Sequence, residues 1–128
     1  MTETRQTILL VEDDRFLRKA GESTLRQNGF AVLLAADGEE ALVQAKTGPA
    51  LILLDLIMPK LQGFEVLRRL KADPATARIP VIVLSNLGQE SDVKQAMALG
   101  AVAYLIKSNL SLQDLVLRVR AALAESPG

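Results

Sequence analysis

The chain contains no cysteine and no histidine. The first absence excludes a disulfide framework and any thiolate metal site. The second removes imidazole acid–base catalysis, histidine metal ligation and phosphohistidine chemistry on this chain. Aromatic residues make up only 3%, with no tryptophan and one tyrosine, so a core must be built from Leu, Ile, Val and Ala. An excess of charge of one sign is missing too: 15 basic and 15 acidic residues give a formal net charge of +0. That balance lacks the basic footprint of a nucleic-acid-binding domain, so no direct nucleic-acid contact is expected. No apolar run approaches the roughly 18 residues of a membrane-spanning helix, and Asp55 interrupts the longest one. The opening segment, Met1 to Gln6, is polar and has no signal-peptide centre. A cytoplasmic protein with no membrane partner is the expectation.

What is present is one domain's worth of chain. There are 128 residues, 49% of them hydrophobic, enough for a full core at this length. Short apolar runs alternate with amphipathic stretches. Thr7–Val11 reads as a first strand, ended by Glu12, Asp13 and Asp14. A helix over Arg15–Gln27 follows, with Phe16, Leu17, Ala20, Thr24 and Leu25 on one predicted inner face. Asn28 and Gly29 end it as a left-handed cap. Phe30–Ala35 is a second strand, and Asp37 with Glu40 forms a capping box for a helix that stops near Gly48 and Pro49. Ala50–Leu54 is a third strand, closed by Asp55. A loop with Pro59 and Gly63 leads to a helix from about Phe64 to Lys71, broken at Asp73 and Pro74. Pro80 opens a fourth strand, Val81–Leu84. Gln89–Leu99 is a helix with Val93, Ala96 and Met97 inward and Gly100 as its cap. Val102–Ile106 is the fifth strand, and Ser111 with Asp114 caps a last helix to about Ala124, before a frayed tail.

Five apolar strands alternating with five helices predict an α/β fold with a parallel sheet covered on both faces, doubly wound by right-handed crossovers. The expectation is a single domain over 1–128, its core about residues 7–124, with no output domain.

In such a sheet, ligands bind beyond the carboxyl ends of the strands. Four strands end in polar residues: Glu12 and Asp13, then Asp55, then Ser85 and Asn86, then Lys107. Each has a plainer reading. The three acids after the first strand suit a helix N-terminus, Asp55 suits a turn, Ser85 a loop, and Lys107 a solvated strand end. Their occurrence together at one edge of one sheet favours function. Clustered carboxylates need compensation to stay ionised. Mg²⁺ takes two carboxylates, a carbonyl and water readily. A phosphoryl group on Asp55 would then meet the cation, the Lys107 ammonium and the Ser85 hydroxyl. Asp55 would act as nucleophile, forming an acyl phosphate.

Taken in order, four segments resemble the bacterial response-regulator receiver domains. They are Ile8–Asp14, Leu53–Pro59 with Gly63, Val81–Ser85, and Ala101–Lys107. The resemblance spans essentially the whole chain. It implies a flavodoxin-like fold with strand order 2-1-3-4-5. It implies Asp55 as phosphoacceptor, Asp13 as a direct Mg²⁺ ligand, Glu12 acting through water, and the Ile57 backbone carbonyl as the remaining protein ligand. It further implies Ser85 as switch hydroxyl, Lys107 as the phosphate-contacting lysine, and Tyr104 as an aromatic that changes rotamer with Ser85. A half-buried edge tyrosine is the plainer reading of Tyr104. The implied partners are a histidine kinase or phosphotransfer protein as donor and an unidentified downstream protein. The last is met through the fourth helix, fifth strand and fifth helix. The chain would be an acceptor that phosphorylates and dephosphorylates itself rather than a turnover enzyme.

Two departures stand out. The family usually places proline after the lysine, often with a cis bond, whereas here it is Ser108. A non-proline cis bond costs roughly 2.5–4 kcal/mol, so either a trans bond with an altered loop or a strained cis bond is expected. The positions two past the acceptor and two past the switch hydroxyl are Ile57 and Leu87, both apolar. They read either as ordinary loop hydrophobes or as shields that slow hydrolysis of the acyl phosphate. Other functions compete. A degenerate receiver would bind a partner without phosphorylation, although every expected side chain is present. A flavin carrier would want hydroxyl and glycine donors where Glu12, Asp13 and Asp14 stand. A phosphatase with an aspartate nucleophile would want an acid at Ile57. A DNA-binding regulator would want an output domain. Arg15, Arg18, Lys19 and Arg26 give the first helix a basic side, either a solvated face or a kinase-docking surface.

Overall fold

The computed structural model describes residues 5–58, 60–86 and 89–125. Its elements alternate in chain order: β1 Thr7–Val11, α1 Arg15–Gln27, β2 Ala31–Ala35, α2 Gly38–Ala45, β3 Leu51–Asp55, α3 Gly63–Ala72, β4 Val81–Ser85, α4 Glu90–Ala98, β5 Ala103–Ile106 and α5 Leu112–Glu125. The strands form one parallel sheet in the order β2-β1-β3-β4-β5. This is the doubly wound, flavodoxin-like arrangement expected. Among the described residues, no helix is long and apolar enough to cross a membrane.

Burial along each strand follows from its place in the sheet. β3 and β4 are buried at every position, and β1 at all but its first. These are the central strands, covered on both faces. β2 and β5 lie at the edges and are only partly buried. Side chains alternate across the sheet, so two cores result. Leu9, Val11, Ile52, Leu54, Val81 and Val83 face a layer supplied by α2, α3 and α4. Ile8, Leu10, Leu51, Leu53, Ile82 and Leu84 face Leu25 of α1 and Leu115 and Val119 of α5.

The helix ends follow their capping chemistry. The Asp37 Oδ1 accepts from the Glu40 N–H at 2.8 Å, while the Glu40 carboxylate reaches back to the Ala36 N–H at 3.4 Å. Ser111 and Asp114 bond reciprocally, at 3.0 and 3.3 Å. Gly29 lies at φ 92°, the left-handed conformation that turns the chain out of α1. Two inward faces are corrected. Phe16 is 85% exposed and Leu17 50%, because α1 comes closest to the sheet at Gly21 and Leu25. A Cβ at Gly21 would sit 2.9 Å from Leu10 Cδ2, so the contact is made by a residue that a hydropathy pattern passes over. On α4, Ala96 is fully buried but Met97 is 44% exposed, so the inward stripe is narrower than its apolar residues suggest.

Candidate functional site

The three acids after β1 have separate tasks. Asp14 is the N-cap of α1: its Oδ1 accepts from the backbone N–H groups of Phe16 at 2.9 Å and Leu17 at 3.1 Å. The helix-start reading therefore holds for Asp14. Glu12 is buried, with one carboxylate oxygen accepting from Lys107 Nζ at 2.5 Å and the other from the Asp14 N–H at 3.1 Å. Asp13 is exposed. One carboxylate oxygen each from Glu12, Asp13 and Asp55 lie within 4.8 Å of one another.

Asp55 is the last residue of β3 and is only 5% exposed. Its Oδ2 accepts from Lys107 Nζ at 3.0 Å and its Oδ1 from the Ile57 N–H at 3.2 Å. Lys107, just past β5, thus bridges a carboxylate from β1's exit and one from β3's end, 95 and 52 residues away in sequence. The electrostatics follow from this crowding. Burial raises the pKa of Glu12, and Lys107 and the Asp14 N–H only partly offset it. Burial works against the Lys107 ammonium, but hydrogen bonds to Glu12 and Asp55 outweigh it and its pKa lies above the ordinary lysine value. Three carboxylates against one ammonium leave an excess of negative charge at the rim of the sheet. That donor set, all oxygen and closely spaced, fits a hard divalent cation.

Ser85 ends β4, fully buried, beside the acceptor's strand: Asp55 is the register partner of Leu84, and Ser85 that of Ile106. Burial pushes the Tyr104 phenol above its usual value, and the neighbouring Ser85 side chain works in the opposite direction. The structure therefore sets the two residues expected to move together beside each other. Ile57 touches Asp55 through its N–H, and its side chain is 60% exposed. Leu87 lies outside the described residues. The Lys107–Ser108 bond is trans and begins a short 3₁₀ turn, Lys107–Asn109, which is the altered loop rather than the strained one.

The sequence places Arg18 only on a basic helix face. Its Nη1 returns to the loop after β1 and donates to the Glu12 carbonyl at 2.9 Å and the Asp13 carbonyl at 3.4 Å. It holds the backbone of the acidic loop. The available signal was a long cation one turn into the helix that follows the acids. A groove of about 120 Å³ runs from Glu12 and Lys107 down between α1 and α5, bordered by Leu17, Gly21, Leu112 and Leu115.

A sequence model of the response regulator receiver domain matches residues 8–120 of the chain. Among curated relatives, the gliding motility regulatory protein of Myxococcus xanthus is 44% identical over 112 residues, 87% of this chain and 14% of that protein. The transcriptional regulatory protein CpxR of Escherichia coli is 41% identical over 119 residues, 93% of this chain and 50% of that protein. The chain spans half or less of the length of either. The solved receiver domain of a sensor histidine kinase from Pseudomonas aeruginosa has a TM-score of 0.86 at 29% identity, covering 95% of this chain and 100% of that one. That structure holds a magnesium ion coordinated in its active-site cleft.

Proposed function

The chain belongs to the response regulator receiver family, and from that premise we propose that it is a signalling switch charged by phosphoryl transfer to Asp55. The observation that carries this reading is the Lys107 bridge. A buried acid at the end of a strand, 3.0 Å from an ammonium and flanked by two further carboxylates, is poised for in-line attack on a phosphorus atom. The donor is a phosphohistidine on a kinase or phosphotransfer protein. An Asp55 oxygen forms the new P–O bond, the P–N bond breaks, and the imidazole nitrogen keeps the electron pair. Lys107 neutralises charge on the transferred group, and the Ser85 hydroxyl supplies a further donor. Glu12, Asp13, Asp55 and the Ile57 carbonyl would hold Mg²⁺, which supplies positive charge to the phosphoryl oxygens when bound. Glu12 acts there through water, since its own oxygens already serve Lys107 and Asp14.

The surface around the site suits a protein donor. Leu17 and Leu112 are exposed large apolar residues lining the groove, and Phe16, Arg15 and Lys19 are exposed on the same helix as Leu17. The downstream partner is served by the other flank, where Met97 is 44% and Val102 50% exposed next to Tyr104's strand. Coupling runs from Asp55 to Ser85 and on to its neighbour Tyr104.

The test is intact mass before and after incubation with acetyl phosphate and Mg²⁺. One phosphoryl is gained by the native sequence and none by Asp55→Ala. No gain in the native sequence would leave the protein as an interaction module independent of phosphorylation. Ile57, exposed two residues past the acceptor, and Leu87 shield the acyl phosphate from water. Ile57→Asn with Leu87→Glu is expected to speed loss of the phosphoryl group, followed as decay of the phosphorylated mass. Equal decay in the double variant and the native chain rules the shielding out.

A further inference from the structure

The loops after β4 and β5 are tied together one residue beyond their functional side chains. The Ser108 N–H donates to Asn86 Oδ1 at 3.1 Å, across 22 residues of sequence. The register explains how the two meet: Ser85 and Ile106 are partners at the ends of adjacent parallel strands, so Asn86 and Lys107 leave the sheet side by side. The bond depends on two residues at once. It needs an amide oxygen at position 86, and it needs an N–H at position 108, which a proline there would lack. The turn that carries Lys107 is otherwise closed by the Leu110 N–H to the Lys107 carbonyl at 3.3 Å. Asn86, Ser108 and Asn109 are all exposed, so the side chains of these three residues add no buried packing to the link.

We propose that Asn86 is a positioning residue: through the Ser108 N–H it locks the Lys107 turn to the Ser85 loop, so that ammonium and hydroxyl approach the phosphoryl group as one unit. The inference rests on the reading of Asp55 as acceptor and adds to it the residue that registers its two donors. A lysine ammonium rides on a flexible four-carbon stem, so the position of its backbone sets which acids it can reach at once. Lys107 must serve Asp55 and Glu12 together, at 3.0 and 2.5 Å. A turn free to drift from the β4 exit would present the ammonium correctly for a smaller share of the time. Misplacement of a group by about 1 Å is enough to cost rate.

The experiment measures the maximal rate of phosphorylation by acetyl phosphate at saturating Mg²⁺, by intact mass, for a set of variants. Asn86→Ala is expected to lower that rate by about three- to tenfold, the effect of one hydrogen bond, with the Mg²⁺ affinity unchanged. Ser108→Ala keeps the N–H and is expected to keep the native rate. Ser108→Pro lowers the rate at least as far as Asn86→Ala, and adding Asn86→Ala to it lowers the rate no further. The exchange of the Ser108 amide proton with solvent quickens in Asn86→Ala, a readout that a general loss of stability does not produce at that one position. A native rate in Asn86→Ala, or independent losses in the double variant, overturns the latch and leaves the acceptor reading standing. Absence of phosphorylation in the native chain overturns both.

Discussion

The loop that leaves β3 and the two loops that leave β4 and β5 frame one crevice, yet they are held by different forces. The first is held by packing. Leu56 and Met58 are buried, and the Gly63 N–H donates to the Leu56 carbonyl at 2.9 Å. A Cβ at Gly63 would press on Leu56 Cα and lie 2.7 Å from the Asp55 carbonyl. One at Gly38 would press on the Leu61 carbonyl, so the start of α2 closes over the same loop. Lys60, at φ 69°, reaches Asp37 at 3.5 Å. Among the described residues, the β4 and β5 loops meet through exposed Asn86 and Ser108, and Leu110 packs on the core only after the Lys107–Asn109 turn. The difference teaches a division of labour. An acceptor must stay where it is to be attacked, so its backbone is wedged sterically. Donors that follow a newly arrived group need loops that can shift together, and an exposed polar link joins them without wedging either into the core.

The largest expected effect tests the wedge. Gly63→Ala is expected to destabilise the fold by about 2–3 kcal/mol, the upper part of the overpacking range, measured by urea unfolding. A loss below about 0.5 kcal/mol, the scale of an ordinary surface substitution, would mean that the β3 loop yields as easily as the other two, and the contrast would vanish. The next concerns the loop after β1, where Arg18 ties down the Glu12 and Asp13 carbonyls by hydrogen bonds alone. Arg18→Ala should cost about 1 kcal/mol in thermal unfolding and weaken Mg²⁺ binding by isothermal titration. Unchanged Mg²⁺ affinity would separate this clamp from the site. The smallest lies on α3, just past the wedge. Arg68 and Arg69 hold the half-buried Glu65 carboxyl at about 2. Its unfolded value is about 4.3, so the pair stabilises the fold above that pH and the contribution fades as pH falls through the folded value. The gap in Tm between the native chain and Glu65→Gln is therefore small, greatest above about pH 5, and closes toward pH 2. A gap that widens in acid contradicts this assignment.

Much of the site is legible in the sequence. Glu12, Asp55 and Lys107 were visible as polar residues ending apolar strands, because burying such residues without partners is too costly to be incidental. The apolar strands, the caps at Asp37 and Ser111 and the turn at Gly29 were legible because each depends on near neighbours in sequence. Phe16, Leu17 and Met97 were misread for a related reason. Helical spacing reports which residues share a face, but the face that meets the sheet depends on where the helix docks. On α1 that docking point is Gly21, which carries no hydropathy signal. Arg18 escaped because a long side chain on a basic helix looks the same whether it faces water or folds back onto a carbonyl.

The sequence alone determined the alternation of strand and helix, the acids and the lysine at the strand ends, and the absence of any cysteine or histidine chemistry, since these follow from residue type and local spacing. Only the tertiary structure decided that Lys107 would stand between Glu12 and Asp55, that a carboxylate oxygen of Asp13 would join theirs, and that Asn86 would meet Ser108. Those outcomes depend on which strands lie side by side and in what register, and register is set by the packing of two cores against one sheet, a property of the whole chain rather than of any segment.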